Sequence, residues 1–481
     1  MELNNRETAI EIRHKDLVIE EENPFANCKL GRKENALVLT EIIESYADGF
    51  VLALNNKWGT GKTTFVKMWE QHLKNEGFKT MYFNAWENDF EMEPLVAMLG
   101  ELKKLLGNTK SDIFDSLLEK GAIISKRILP SVVKAVTKKY LGDEVAEIIS
   151  DSAKAATDIL KDEVEEYIKK KENLLSFKKE LEEYVKKNSN GKPIVFIIDE
   201  LDRCRPDYAV EVLEKVKHFF SVPGIIFILS IDKEQLGYAI QGYYGSSKID
   251  TDEYLRRFID LEYQLPKPDT DSYTKYLFDY FSFDGFFKEQ LEKKNDKNNF
   301  VLFSMSLCNL FNYTLRQYEK LFAFTRVVLR SIHKDTKNCS PDFILLLVHL
   351  KLFNENLYKQ IKDKNLTTQQ LVDEFETLFL TPKSERINDI IYLEAQLVFY
   401  YHQYIDEIVS GHSRKVSLFI KSSQSENKEF TLTSKTSEMS NIEYDLEKCV
   451  EYIEENQLRY YHYHFSYFLN IIELLNNLQT N

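Results

Sequence analysis

The stretch FVLALNNKWGTGKTTFVKMWEQHL, beginning at Phe50, constrains this chain more than any other. An apolar run of strand length enters a glycine-bearing loop. The residues that follow, TTFVKMWEQHL, carry apolar side chains at helical spacing. Strand, loop and helix in that order make an anion cradle, because successive backbone N–H groups and a helix N-terminus converge there. The letters nearly spell the phosphate-binding loop G-x-x-x-x-G-K-[ST]. Gly61, Lys62 and Thr63 fill its last three fixed positions, and Asn56 stands where its first glycine belongs.

The loop assigns roles. Lys62 would meet the β- and γ-phosphates of a nucleotide, and the Thr63 hydroxyl would ligate Mg²⁺. Thr64 would reach the α-phosphate, while Gly59 and Gly61 let the backbone approach without a Cβ in the way. Trp58 and Thr60 complete the loop between them. Asn is among the side chains that best tolerate positive φ, so Asn56 is expected to make the turn out of the strand in glycine's place. The plain alternative is a chance G-K-T in a surface loop.

PIVFIIDE, from Pro193, is a continuous apolar run ending in acids, as suits a strand buried on both faces of a parallel sheet. Asp199 is the candidate ligand of Mg²⁺ and Glu200 the candidate base for an attacking water. An adjacent glutamate points to ATPases that carry an extra strand between the loop strand and the acidic strand. The alternative is a solvent-exposed strand end. GIIFILSID closes another strand, where Asp232 or Ser230 would sense the γ-phosphate or merely cap the strand.

Basic residues follow. Arg256 and Arg257 in EYLRRFID are candidate catalytic fingers offered to a neighbouring protomer. Their alternative is a surface ion pair with Asp252 or Glu253. Arg316, in YTLRQYEKL, would reach the nucleotide from a helical lid. In DELDRCRP, Arg203 is expected to pair with Asp202 or to hold the loop beside the acids. Trp86, in FNAWEND, is expected to be a packing residue rather than a ligand. The loose guanine motif TKSD, at Thr109–Asp112, precedes the acidic strand instead of following it, which argues against a GTPase.

Strands alternating with helices imply a doubly wound α/β sheet. We divide the chain into an extension (1–24), a first core part (25–106), a Lys/Glu/Ala-rich helical insertion (107–190) and a second core part (191–270). A helical lid (271–340) and an all-α C-terminal domain with a small hairpin (341–481) complete it. The length of 481 residues accommodates these parts. A net charge of −14 argues against a general nucleic-acid coat, though not against a local basic groove. The five cysteines are scattered, with no C-x-x-C pair, which suggests neither a disulfide framework nor a zinc site. The start MELNNRETAIEIRHKD has no apolar core of a secretory signal and no uncharged run reaches membrane-spanning length, so the cytoplasm is the expected location.

Two further features read as structural. His462 and His464 form H-x-H, poor metal spacing on a helix, within an aromatic helical tail expected to be a packing face or an oligomer contact. The runs KRILPSVVKAVTKK and IKKKENLLSFKKELEEYVKK are basic. Acids interleave in the second, which favours a solvated helix face over a nucleic-acid surface.

LGR (Leu30–Arg32), WGTGKTT, FNAW, IVFIIDELDRC, IIFILSID and YLRRFIDLEYQLP occur in the order seen in the KAP family of P-loop NTPases, and the resemblance covers roughly residues 25–335. It implies an extra-strand ATPase using ATP and Mg²⁺. It also implies an insertion between the phosphate-binding loop and the acidic strand; in some members this insertion crosses the membrane, but here it is charged and amphipathic. This chain departs at Asn56, and at Glu200, where many relatives have a second aspartate. Prokaryotic members resemble phage-exclusion and defence components. The expected function is therefore an ATP-hydrolysing switch in a defence system, without a transmembrane segment, acting as a homo-oligomer or through an effector protein. The alternatives are an ATP-gated scaffold with negligible turnover and a nucleic-acid-stimulated motor.

Overall fold

The computed structural model describes residues 17–46, 49–90, 93–105, 112–125, 148–189, 191–267, 269–289, 294–311, 313–332, 340–380, 387–410, 417–421, 428–438, 444–457 and 464–473. Two compact units divide them, Leu17–Lys267 and the residues from Pro268 onward.

The first unit is built on a parallel sheet of β1 (Val51–Asn55), β2 (Lys79–Asn84), β3 (Ile194–Asp199), β4 (Ile225–Ile231) and β5 (Leu261–Tyr263), in the order β2-β3-β4-β1-β5. β4 therefore separates the loop strand β1 from the acidic strand β3, which is the extra-strand arrangement expected. Both β3 and β4 are buried along their whole length. Period-two alternation explains how such continuous apolar runs serve two layers. Val195, Ile197, Ile226 and Ile228 pack with α1 (Lys33–Ser45) and α2 (Lys62–Asn75), through Leu39, Val66 and Trp69. Ile194, Phe196, Ile198 and Phe227 point the other way, towards α3 (Pro94–Lys104), α6 (Pro206–His218) and α7 (Lys233–Tyr244).

The insertion contributes α4 (Asp112–Ser125) and α5 (Ile148–Asn188), which pack together as a helical pair. Phe114, Leu117, Phe177, Leu181 and Tyr184 join the second core layer, so the insertion is anchored to the sheet's helical cover. Within its second basic run Lys186 pairs with Glu182 at 2.7 Å, and Glu180 of that run pairs with Lys120 of α4. KRILPSVVKAVTKK and most of TKSD lie outside the described residues. Gly49, with φ 84°, enters β1 where a Cβ would come within 2.5 Å of the Ile225 carbonyl oxygen, so only glycine fits there.

The second unit is helical, with Phe278, Phe283, Phe300 and Phe322 forming an aromatic cluster. A hairpin pairs Phe419–Lys421 with Lys428–Phe430. The aromatic tail is helical over Phe465–Glu473; His464 precedes that helix and His462 lies outside the described residues. Among the described residues, no helix is long and apolar enough to cross a membrane.

Candidate nucleotide site

The parallel sheet gathers the carboxyl ends of β1, β3 and β4, which is where ligands bind in this architecture. The loop after β1 is pinned on both sides. Asn56 N donates to Ile231 O at 3.1 Å, continuing the ladder to β4. Its side chain continues the other ladder: Nδ2 donates to Leu265 O at 3.0 Å, and Leu265 N donates to Oδ1 at 2.9 Å. Asn56 is not among the residues with positive φ, so it does not replace glycine by adopting a left-handed turn as expected. Its amide instead substitutes for a missing backbone pair beyond the end of β5. Gly59 (φ 73°) and Gly61 (φ 80°) do take left-handed backbone, and Gly61 caps the start of α2.

Arg32 supports the loop from behind. It is 1% exposed; Nη1 donates to Thr60 O at 2.8 Å and Nη2 to Pro266 O at 3.4 Å. Burial pushes its guanidinium down to about 10. Trp58 is held by two acids. Its backbone N–H donates to Asp232 Oδ2 at 3.1 Å and its indole N–H to Asp202 Oδ2. Thr60 Oγ1 donates to Lys57 O at 2.8 Å.

Lys62, Thr63 and Thr64 form the first turn of α2. Lys62 is 8% exposed, and its ammonium donates to the carbonyls of Asn56 and of Lys57, the latter at 3.3 Å. Burial lowers its pKa, opposed by the charges of Asp202, Asp232 and Asp199. The cation of the loop thus faces three carboxylates from the ends of two other strands.

Asp199 is 1% exposed; Tyr82 Oη donates to its Oδ2 at 2.9 Å and Glu200 N to its Oδ1 at 3.0 Å. Burial, reinforced by Asp199, raises the Tyr82 hydroxyl. Glu200 has φ 61°, an uncommon backbone for a non-glycine residue. Its Oε1 pairs with Arg203 Nη1 at 3.0 Å, and Asn84 Nδ2 donates to its Oε2 at 3.4 Å. Burial raises its pKa, with Arg203 pulling the other way. Burial likewise raises Asp202, which is 7% exposed.

Two expectations are corrected here. Arg203 pairs with Glu200, not with Asp202, because the single 3₁₀ turn Leu201–Arg203 carries it back over the residue that precedes the turn. Trp86 is 52% exposed rather than packed in the core, and the Arg203 guanidinium lies 5.6 Å from its ring centroid.

The remaining candidates spread outward. Asp232 caps α7 and is 6% exposed, while Ser230 is fully buried with no hydrogen-bond partner for its hydroxyl. Arg256 and Arg257 are exposed at the end of α8 (Thr251–Leu255), and Arg256 pairs with Glu253 at 3.1 Å. Arg316 is exposed on a helix of the second unit, Leu315–Ser331. The role of Asp202 towards Trp58, and those of Tyr82 and Asn84, were not read from the sequence. The spacing of Asp202, three residues beyond Asp199, was their one available signal.

The donor set suits a magnesium–nucleotide. Thr63 and Asp199 offer hard oxygens, and no group of three or more His, Cys, Asp or Glu among the described residues is arranged to hold a metal by itself. An ion there would complete its shell with phosphate oxygens and water, as Mg²⁺ does.

Among curated proteins, none matches this chain. Solved structures similar to it include the Aeropyrum pernix ORC2 protein in ADPNP–ADP complexes, at 13% identity over 79% of this chain and 81% of that one, with a TM-score of 0.32. AMPPCP-bound DnaA from Aquifex aeolicus shows 12% identity over 93% of each chain, with a TM-score of 0.25. Likeness at this level says nothing about the nucleotide, DNA or partners of this chain. The family model is decisive: the KAP family P-loop domain matches residues 32–338, and the chain belongs to that family.

Proposed function

We propose that this P-loop NTPase binds and hydrolyses ATP and works as a molecular switch. Lys62 and the N–H groups of the loop would hold the phosphates, with Thr63 and Asp199 holding Mg²⁺. When bound, Mg²⁺ supplies charge neutralisation on the phosphate oxygens. Asp232 would bear on the same end of the nucleotide from β4, on which it fixes the loop through Trp58 N–H.

The observation that carries the reading is Glu200. It directly follows the buried Asp199, its side chain is only 13% exposed, and burial raises its proton affinity. A carboxylate with raised proton affinity beside a phosphate loop suits the role of base for water. ATP turnover and ATP binding by the native chain and by Glu200→Gln test this reading.

Arg256 or Arg257 would complete the site of a neighbouring protomer, and Arg316 would report the nucleotide state to the helical unit. A phage-exclusion or defence role in the cytoplasm rests on the family resemblance. It is tested by phage plating on cells expressing the native chain or Lys62→Ala; equal plating would remove it.

A further inference from the structure

Trp58 stands within the phosphate loop with 42% of its surface exposed, so burial is not what a tryptophan supplies there. Both of its N–H groups are engaged by acids. The backbone N–H donates to Asp232 Oδ2 at 3.1 Å, at the end of β4, and the indole N–H to Asp202 Oδ2, in the turn after β3. Phenylalanine would offer a flat ring without that side-chain donor. Asp202 is 7% exposed and lies in the 3₁₀ turn Leu201–Arg203, whose first residue, Leu201, is fully buried in the core with Ile198 and Tyr208. Arg203 N donates to Glu200 O at 3.1 Å and Cys204 N to Leu201 O at 3.3 Å, which closes the turn directly onto Glu200. Burial raises the Asp202 carboxyl, against the Trp58 indole, Lys62 and the backbone N–H groups of Asp202 and Asp232, so this side chain sits where the loop meets the ends of β3 and β4.

We propose that Trp58 and Asp202 are positioning residues for ATP hydrolysis, their hydrogen bond tying the loop that holds the phosphates to the turn that presents Glu200. The proposal rests on the ATPase reading of this site. The loop has other anchors: Asp232 on the Trp58 backbone, Arg32 on Thr60 O, and Asn56 on the main chain of Leu265. Breaking the indole bond therefore leaves the cradle in place and loosens the acidic turn against it. Nucleotide binding survives, and turnover falls, because rate depends far more steeply than affinity on the placement of a reacting group.

The test compares Trp58→Phe, Asp202→Ala, Asp202→Asn and the Trp58→Phe/Asp202→Ala double variant with the native chain. The first readout needs no turnover. The 3 tryptophans each give an indole N–H signal in an NMR spectrum of the nitrogen-labelled chain, and the one lost in Trp58→Phe is that of Trp58. Its exchange with water should be about tenfold faster in Asp202→Ala, and should stay slow in Asp202→Asn, whose amide oxygen still accepts. The second readout is kcat for ATP beside ATP affinity from calorimetry. Trp58→Phe and Asp202→Ala should each lower kcat about tenfold with affinity within about twofold of native. The double variant should be no slower than the slower single one, and Asp202→Asn should recover most of the rate.

An indole N–H that exchanges no faster in Asp202→Ala overturns the proposal. So does native kcat in Trp58→Phe, which would leave the bond a purely structural one, and so do losses that multiply in the double variant. Asp202→Asn as slow as Asp202→Ala overturns it too, since the charge facing Lys62 would then be what acts. A native chain without turnover, or native-rate turnover by Glu200→Gln, overturns the reading of the site on which the proposal rests. Both of those failures show before any Trp58 or Asp202 variant is compared.

Discussion

The side chain of Asn56 meets the main chain of Leu265 twice, at 3.0 Å through its amide nitrogen and at 2.9 Å through its amide oxygen. Leu54 is registered with Tyr263 in the parallel pair of β1 and β5, so Asn56 and Leu265 are the next pair of facing positions along the same ladder. The residue that breaks the loop consensus therefore joins the start of the phosphate loop to the end of the sheet's edge strand.

Replacing Asn56 by alanine leaves both Leu265 main-chain groups without that partner. A loss of about 1–3 kcal/mol is expected. Asn56→Gly restores the consensus letter but should lose stability too, since it removes the same amide and adds freedom to the unfolded chain. Urea midpoints measure both; a glycine variant as stable as the native chain would contradict this account of Asn56.

Lys62→Ala should abolish ATP binding, measured by calorimetry. It also removes the cation facing Asp199, Asp202 and Asp232. Without it Asp202, whose carboxyl burial already raises against the pull of Lys62, holds its proton still more tightly in the folded state than in the unfolded one. Such a group favours folding below its ordinary range and loses that contribution as pH rises. The stability deficit of Lys62→Ala should thus be small in acid and grow towards neutral pH.

Arg256→Ala and Arg257→Ala remove exposed side chains, one of them in a surface pair with Glu253 at 3.1 Å. Stability should change by no more than about 0.5 kcal/mol. If either side chain completes a neighbour's site, turnover falls while ATP affinity holds, and mixing with Lys62→Ala protein recovers part of it. No recovery in the mixture would place both residues outside a shared site.

Glu394 tests the helical unit. It is fully buried on the helix Ile387–Ser410, neither carboxylate oxygen has a hydrogen-bond partner, and Glu376 lies near enough to oppose its ionisation. Glu376 itself accepts from Ser434 Oγ at 2.6 Å and Lys435 N at 2.8 Å. Burial raises Glu394 well above the usual carboxylate range, with Lys435 opposing. A raised acid contributes stability that is complete below the ordinary glutamate range. That contribution is lost progressively as pH rises towards the folded value, by up to about 1.4 kcal/mol per pH unit. Glu394→Gln should flatten this slope in urea unfolding across pH; an unchanged slope would mean Glu394 does not hold a proton in the folded protein.

Much of the first unit was legible because its signals are local. The runs FVLALNN and PIVFIIDE have strand length, the alternation of strands and helices fixes a parallel sheet, and Asp199 followed by Glu200 points to an intervening strand, found as β4. The side-chain partners were less legible. Asn56 reaches a residue far along the chain, and no local spacing shows that Leu265 continues the β5 register. The pairing of Arg203 depends on a single 3₁₀ turn, and the exposure of Trp86 on how Asn84 holds the turn after β2. These are choices of tertiary geometry that composition and periodicity do not encode.

The central claim is that Glu200 activates water for ATP hydrolysis at a site built on Lys62 and Asp199. The most direct test is steady-state ATP hydrolysis by the native chain and by Glu200→Gln over a range of protein concentrations, with ATP affinity measured on the same samples. The account predicts equal affinity and turnover in the native chain only. A Glu200→Gln variant that hydrolyses ATP at the native rate would contradict it.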